Sequence, residues 1–156
     1  MKKIDLGQTI GILANLGVVA GIVFLAWEVG QNNEFLAAEA RTAVLDRRTM
    51  SNSMIATSPE LSNSLAKAAD GESLTRGERY QIEAYNRSVL ASFEWQFDEY
   101  QRGRLDLLDG GLGGWRVAYH NPDRPLFRET WARWRETAPE DFVEFFEENV
   151  VKRPLE

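Results

Sequence analysis

A chain of 156 residues with a formal net charge of −6 has room for one domain and lacks the basic excess that nucleic-acid binders carry, so no nucleic-acid partner is expected. It has no cysteine and one histidine, His120, which excludes disulfides, thiolate chemistry and any histidine-rich metal site. Its 44% hydrophobic content suits a folded chain and not a disordered one.

Residues 1–9 read as a short N-terminal tail. From Ile10 to Trp27 the chain carries no charge, and Asn15 is its one strongly polar residue. As a helix this stretch is roughly 27 Å long, against about 30 Å for the hydrocarbon core of a bilayer. Trp27 sits at its end, where an amphipathic ring suits the lipid headgroups. Glu28 and Gln31-Asn32-Asn33 mark the exit to water. A cleaved signal peptide would need a small-x-small site after the apolar run, and Trp27 and Glu28 spoil it. A core helix would show a polar stripe, whereas this one is apolar all round. A transmembrane helix over 10–29 is the expectation, which makes the lipid bilayer the first partner.

Gly11, Ala14, Gly17 and Gly21, with Gly7 before them, recur at helical spacing. In lipid, small residues let two helices approach closely, and Asn15 can hydrogen-bond to a neighbour. The expected partner is another membrane protein or a second copy of the chain. The simpler reading is that glycine is common in membrane helices. Lys2 and Lys3 precede the span and Glu28, Glu34 and Glu39 follow it. The positive-inside rule then places the N-terminus in the cytoplasm and the main domain outside.

Residues 30–156 read as a helical soluble domain, with no run of period two. Leu36, Ala40, Ala43, Met50 and Met54 recur at helical spacing up to Thr57, in a helix that continues the span with a bend near Gly30. Ser58-Pro59-Glu60 opens a short helix to about Ala69. Thr75 and Glu78 form a capping box for a long helix, Ile82, Val89, Leu90, Phe93, Phe97 and Tyr100 on its apolar face, that ends near Arg102 with Gly103 beyond. The glycine-rich Asp109–Trp115 lacks a phosphate-loop pattern and reads as a weakened helix start or turn. Trp115 to Tyr119 is a short helix. Pro125 opens another with Phe127, Trp131 and Trp134 on one face, and Ala138-Pro139-Glu140-Asp141 the last, with Phe142, Val143, Phe145 and Phe146. The fold class is all-α: a single N-terminal transmembrane helix, then a compact bundle of about five to six helices.

The segments GIVFLAWEVGQNN, SPEL, LTRGERYQ, FEWQFDEYQRGRLD and APEDFVEFFEE, in this order, resemble a widespread family of small uncharacterised bacterial proteins with one N-terminal membrane helix. The resemblance runs over nearly the whole chain. It implies an all-helical domain attached to the bacterial cytoplasmic membrane, hence a periplasmic domain under the charge rule, and it implies no reaction or cofactor. Gly110 to Gly114 depart from the family pattern, where better helix formers are expected.

The residues that offer chemistry are few. Glu94 lies beside the aromatic face of the long helix; it reads either as a general acid or metal ligand, or as a carboxylate paired with a backbone donor or with Arg87, Arg128 or Arg135. Glu94 and Asp98 stand four apart, but the Glu-x-x-His motifs of di-iron bundles are missing. His120 before Asn-Pro reads as a helix-end residue, and Ser88 and Ser92 lack a nucleophile elbow. In PLFRETWARWRE, Arg128, Trp131, Trp134 and Arg135 offer a membrane-interface or partner surface, while the same aromatic spacing describes a core face. With no catalytic constellation, the expected function is an accessory, structural or scaffolding subunit of a membrane complex. The alternative is a membrane-tethered sensor or carrier holding a lipid or other apolar small molecule between its helices.

Overall fold

The computed structural model describes residues 6–108 and 111–153. Residues 1–5, with Lys2 and Lys3, and Asp109 and Gly110 of the glycine-rich stretch lie outside the described residues. Among those described, six α-helices follow one another and no strand occurs. They are α1 (Leu6–Thr57), α2 (Pro59–Ala69), α3 (Arg76–Gln101), α4 (Gly113–His120), α5 (Pro125–Trp134) and α6 (Glu140–Phe146), the last continued by a π-helical turn, Glu147–Val151.

The all-helical expectation holds, with one correction at the N-terminal end. The helix begins at Leu6, so the expected tail of 1–9 is already helical over its last residues. Gly30 does not interrupt α1, which runs unbroken for 52 residues; one glycine in a long apolar and then polar helix costs only about 1 kcal/mol.

Local chemistry sets the other boundaries. The Ser58 hydroxyl accepts from the Leu61 amide at 3.2 Å, with Pro59 in the first helical position of α2. Both halves of the capping box are made: the Glu78 amide donates to Thr75 Oγ1 at 3.3 Å and the Thr75 amide to Glu78 Oε2 at 2.8 Å. α2 and α3 end alike, on Gly71 and Gly103 with φ of 73° and 70°. In each case the next amide reaches back to close the last turn, Glu72 to Lys67 O and Arg104 to Glu99 O, both at 2.9 Å. Gly111 serves a different need. A Cβ there would meet the Cα of Leu107 at 2.8 Å, so the chain passes too close for a side chain. α4 starts at Gly113, two residues before the expected Trp115.

α3 is the axis of the bundle, packing against α1, α2 and α5, while α4 packs against α5 and the π-helical turn. The core between them is mostly aromatic. Phe93 stacks on Trp115 with centroids 4.7 Å apart, Trp131 on Phe146 at 4.1 Å, and Phe97 meets Phe142 and Phe145 at 5.6 and 5.0 Å. Such pairs add about 0.5–1.5 kcal/mol each beyond the area they bury. The indole N–H groups are satisfied across helices: Trp115 donates to Gln96 Oε1 at 3.4 Å, Trp131 to Glu147 Oε1 at 3.0 Å and Trp134 to Glu94 Oε2 at 3.2 Å. A smaller cluster of Ala68, Ile82 and Leu126 joins α2, α3 and α5.

α1 joins this bundle only through its second half. Ala40 is buried, and Leu36, Ala37, Ala43, Val44, Ser51 and Ile55 are half-buried along one face. Met50 and Met54, expected on that face, are exposed. They lie one residue out of step with Ser51 and Ile55, which take the inward positions.

Candidate functional site

From Ile10 on, the first half of α1 lies clear of the bundle among the described residues. From Ile10 to Phe35 every residue is exposed, and the large apolar side chains stand 55–68% accessible on all sides of the helix. One helix of the described chain is therefore long and apolar enough to cross a membrane. Gly11, Ala14, Gly17 and Gly21 fall within an arc of about 120° around its axis, with Asn15 at the edge. A Cβ built on Gly11, Gly17 or Gly21 meets no atom within 4 Å. Trp27 is exposed, its ring 6.1 Å from that of Phe24.

The aromatic-basic segment resolves mostly to core. Leu126, Phe127, Thr130 and Trp131 are buried in α5, so Trp131 belongs to no interfacial or partner surface. Trp134 is half-buried with its indole on Glu94, and Arg135 is exposed and pairs with Glu147 at 2.8 Å. Arg128 alone of the four keeps an exposed side chain outside every ion pair found among the described residues. Glu94 is half-buried, and its partner is the Trp134 indole and none of the three arginines expected. An indole N–H satisfies one carboxylate oxygen and ties the end of α5 to α3.

His120 closes α4 as expected and also has a docking role. Its Nε2 donates to Val150 O at 2.7 Å, and Arg116, one turn earlier, donates from Nε to Asn149 O at 3.0 Å. Both carbonyls lie near the end of the π-helical turn; Arg116 serves that of Asn149, and His120 adds a side-chain bond to Val150 O, which also accepts from the Arg153 amide at 3.3 Å. Tyr119, between these two, is pushed up from its ordinary pKa by burial first and by the Glu147 charge second. At the start of α3, Glu78 is held down to about 2, chiefly by its hydrogen bond with Lys67 at 2.6 Å and then by the Thr75 amide.

Two hollows lie where α1 docks on the bundle. The first, about 170 Å³, is lined by Tyr85, Phe93 and Trp115 and by Arg47, Arg48 and Arg124 with Ser51, Asn52, Ser92 and Gln96. No carboxylate lines it. The second, about 310 Å³, shares Val44, Arg48, Gln96 and Gly114 with the first and adds Arg41 and Asp106. Arg47 lies over the Trp95 ring at 4.3 Å, and Arg124 over the rings of Tyr85 and Phe127 at 5.3 and 5.4 Å. Arg124 Nη2 is buried without a hydrogen-bond partner. The opposite pattern holds at Glu99. It is buried at the end of α3 and receives Arg102 at 2.9 Å and Arg104 at 3.2 Å.

Sequence reasoning found neither the groove nor Glu99. Arg47-Arg48 and Ser51-Asn52 were readable as a polar strip one turn apart on α1, but nothing local shows that this strip faces inward. Among the described residues, no group of three or more histidine, aspartate or glutamate side chains is placed to hold a metal ion. Comparison with protein families, with curated proteins and with solved structures found no match.

Proposed function

We propose that this is a single-span membrane protein in which α1 crosses the bilayer through Ile10–Val29 and holds the helical domain beside it as an accessory, structural or scaffolding subunit of a membrane complex. One observation carries the reading: the apolar half of α1 is exposed on every face. In water that surface, far larger than the patches soluble monomers expose, would drive aggregation; in lipid it needs no further cover. The unbroken passage of α1 from this half into its docked half favours retention of the segment over its removal as a leader. The likeness of several segments to bacterial single-span proteins, an expectation from sequence, points the same way.

In this arrangement Gly11, Ala14, Gly17 and Gly21 are the side by which α1 meets a second membrane helix, and the domain lies on the far side from the N-terminal lysines, in the periplasm. Extraction of native membranes in mild detergent, a native gel and mass spectrometry of what co-migrates test the subunit role. Co-migration with a defined large complex is expected, and migration alone as a monomer contradicts it. The absence of cysteine makes the topology testable with one engineered thiol. Asn63→Cys, at an exposed site, is expected to react with a membrane-impermeant maleimide in spheroplasts, and reaction only after lysis would invert the orientation. A second reading, a tethered sensor or carrier, is favoured by the hollow between α1 and the bundle.

A further inference from the structure

The groove between α1 and the bundle combines three properties that suit an anionic ligand. It collects positive charge in an acidic protein, since Arg47, Arg48 and Arg124 line it and no carboxylate does. Among the described residues none of the three joins an ion pair; Arg47 rests on the Trp95 ring and Arg124 over Tyr85 and Phe127, with no anion against any of them. It also has an aromatic side, where Tyr85, Phe93 and Trp115 line it.

Guanidinium groups held together repel one another, and an oxyanion between them relieves that repulsion while accepting paired hydrogen bonds from their planar forks. The buried, unpartnered Nη2 of Arg124 is a donor that lacks such an acceptor. Ser51 and Ser92 bring hydroxyls to the same wall. The volume of about 170 Å³ compares with the roughly 150 Å³ cavity that holds benzene in another protein. We propose that this groove binds a small organic oxyanion, a phosphate monoester or carboxylate carried on a flat apolar body of about one ring. The oxyanion sits among Arg47, Arg48 and Arg124 and the apolar body lies toward the aromatic side of the groove.

Lipid headgroups and dissolved metabolites share this chemistry, and the geometry of α1 separates them. Arg47 lies 18 residues beyond Val29, about 27 Å further along the helix. The headgroup layer is only about 5–8 Å deep on each side of the hydrocarbon. The groove therefore faces water, and its ligand is water-borne; this choice of source rests on the membrane reading above, while the arginine site itself does not. Because Arg47 and Arg48 belong to α1 and Arg124 precedes α5, the bound anion ties the membrane helix to the bundle.

Calorimetric titration of the full chain in uncharged detergent micelles with phenyl phosphate tests the site, with benzyl alcohol and inorganic phosphate as the ring-only and charge-only controls. Saturable 1:1 binding of phenyl phosphate is expected, tighter than either control and weakened by added salt. Arg48→Gln, at an exposed position where folding is preserved, should weaken it about tenfold, with Arg48→Lys falling between, since lysine keeps the charge and loses the fork. No saturable binding, or equal binding by Arg48→Gln, overturns the proposal. In a second arm, phosphatidylcholine vesicles with and without phosphatidic acid are offered as competitors. Competition by the phosphatidic acid vesicles would overturn the water-borne assignment, and its absence supports it. The micelle titration stands whatever membrane fractionation shows, so failure of the site and failure of the membrane reading are distinguishable.

Discussion

The two halves of α1 are one continuous helix built for two different surroundings. Residues 10–27 carry no charge and residues 10–35 stay exposed, whereas residues 36–57 carry charge on most faces and dock on α2 and α3. A helix in water is amphipathic because one side must be dry. The first half has no such side, and the second has a narrow one running from Leu36 to Ile55. Between Ile10–Trp27 and residues 36–57 polarity runs opposite to burial, the pattern that the proposed passage from lipid to water would produce.

The largest test of that contrast compares truncations of similar kind in bundle and span. Trp131 is 2% exposed against Phe146 and Phe142, so Trp131→Ala should cost about 3–5 kcal/mol in thermal unfolding followed by circular dichroism. Leu16→Ala, in the uncovered half, should leave the same transition unchanged within about 0.5 kcal/mol. A comparable loss at Leu16 would mean that the span packs on the bundle.

Glycines sharpen the contrast. Gly103 has φ of 70°, and Gly103→Ala should destabilise the bundle by about 1–2 kcal/mol. Gly17 and Gly21 lie in regular helix with open space around them. Replacing both with leucine should leave bundle unfolding unaltered and weaken association on the native gel; an unchanged pattern of partners there would remove the packing role of that face.

Smaller effects belong to the start of α3. Thr75→Ala removes one half of the capping box and should cost about 1 kcal/mol in the same unfolding experiment. Glu78 contributes through its charge. Its folded pKa, near 2, lies below its ordinary value of 4.5, so its stabilisation is complete above about pH 4.5 and is lost as pH falls toward 2. Lys67 is shifted upward by the same hydrogen bond, so its share persists through neutral pH and is lost only as pH rises through its raised value. The gap in melting temperature between wild type and Glu78→Gln should therefore close on acidification, and a gap constant from pH 7 to about 2 would show that the carboxylate charge plays no part.

These residues also mark how far the sequence could be read. Caps, breaks and stripes are local chemistry, so Ser58, Thr75, Gly103 and Pro125 located the helices to within a few residues. The apolar all-round character of Ile10–Val29 was equally local. What one helix presents to another was harder to see. Met50 and Met54 matched a helical stripe as well as Ser51 and Ile55 do, and only docking selects between them. Glu94 was placed beside the aromatic face correctly but finds Trp134, 40 residues away, where an arginine or a backbone donor was expected. The arginine groove joins α1, α3, α4 and the turn before α5, and no window of sequence contains it.

The proposed membrane span is tested most directly by washing native membranes with alkaline carbonate, which strips peripheral proteins and leaves integral ones. A chain whose Ile10–Val29 segment spans the bilayer remains in the membrane pellet and leaves it only with detergent. Recovery of the full-length chain in the carbonate supernatant, folded and unaggregated, would contradict the span and require some other cover for the exposed half of α1.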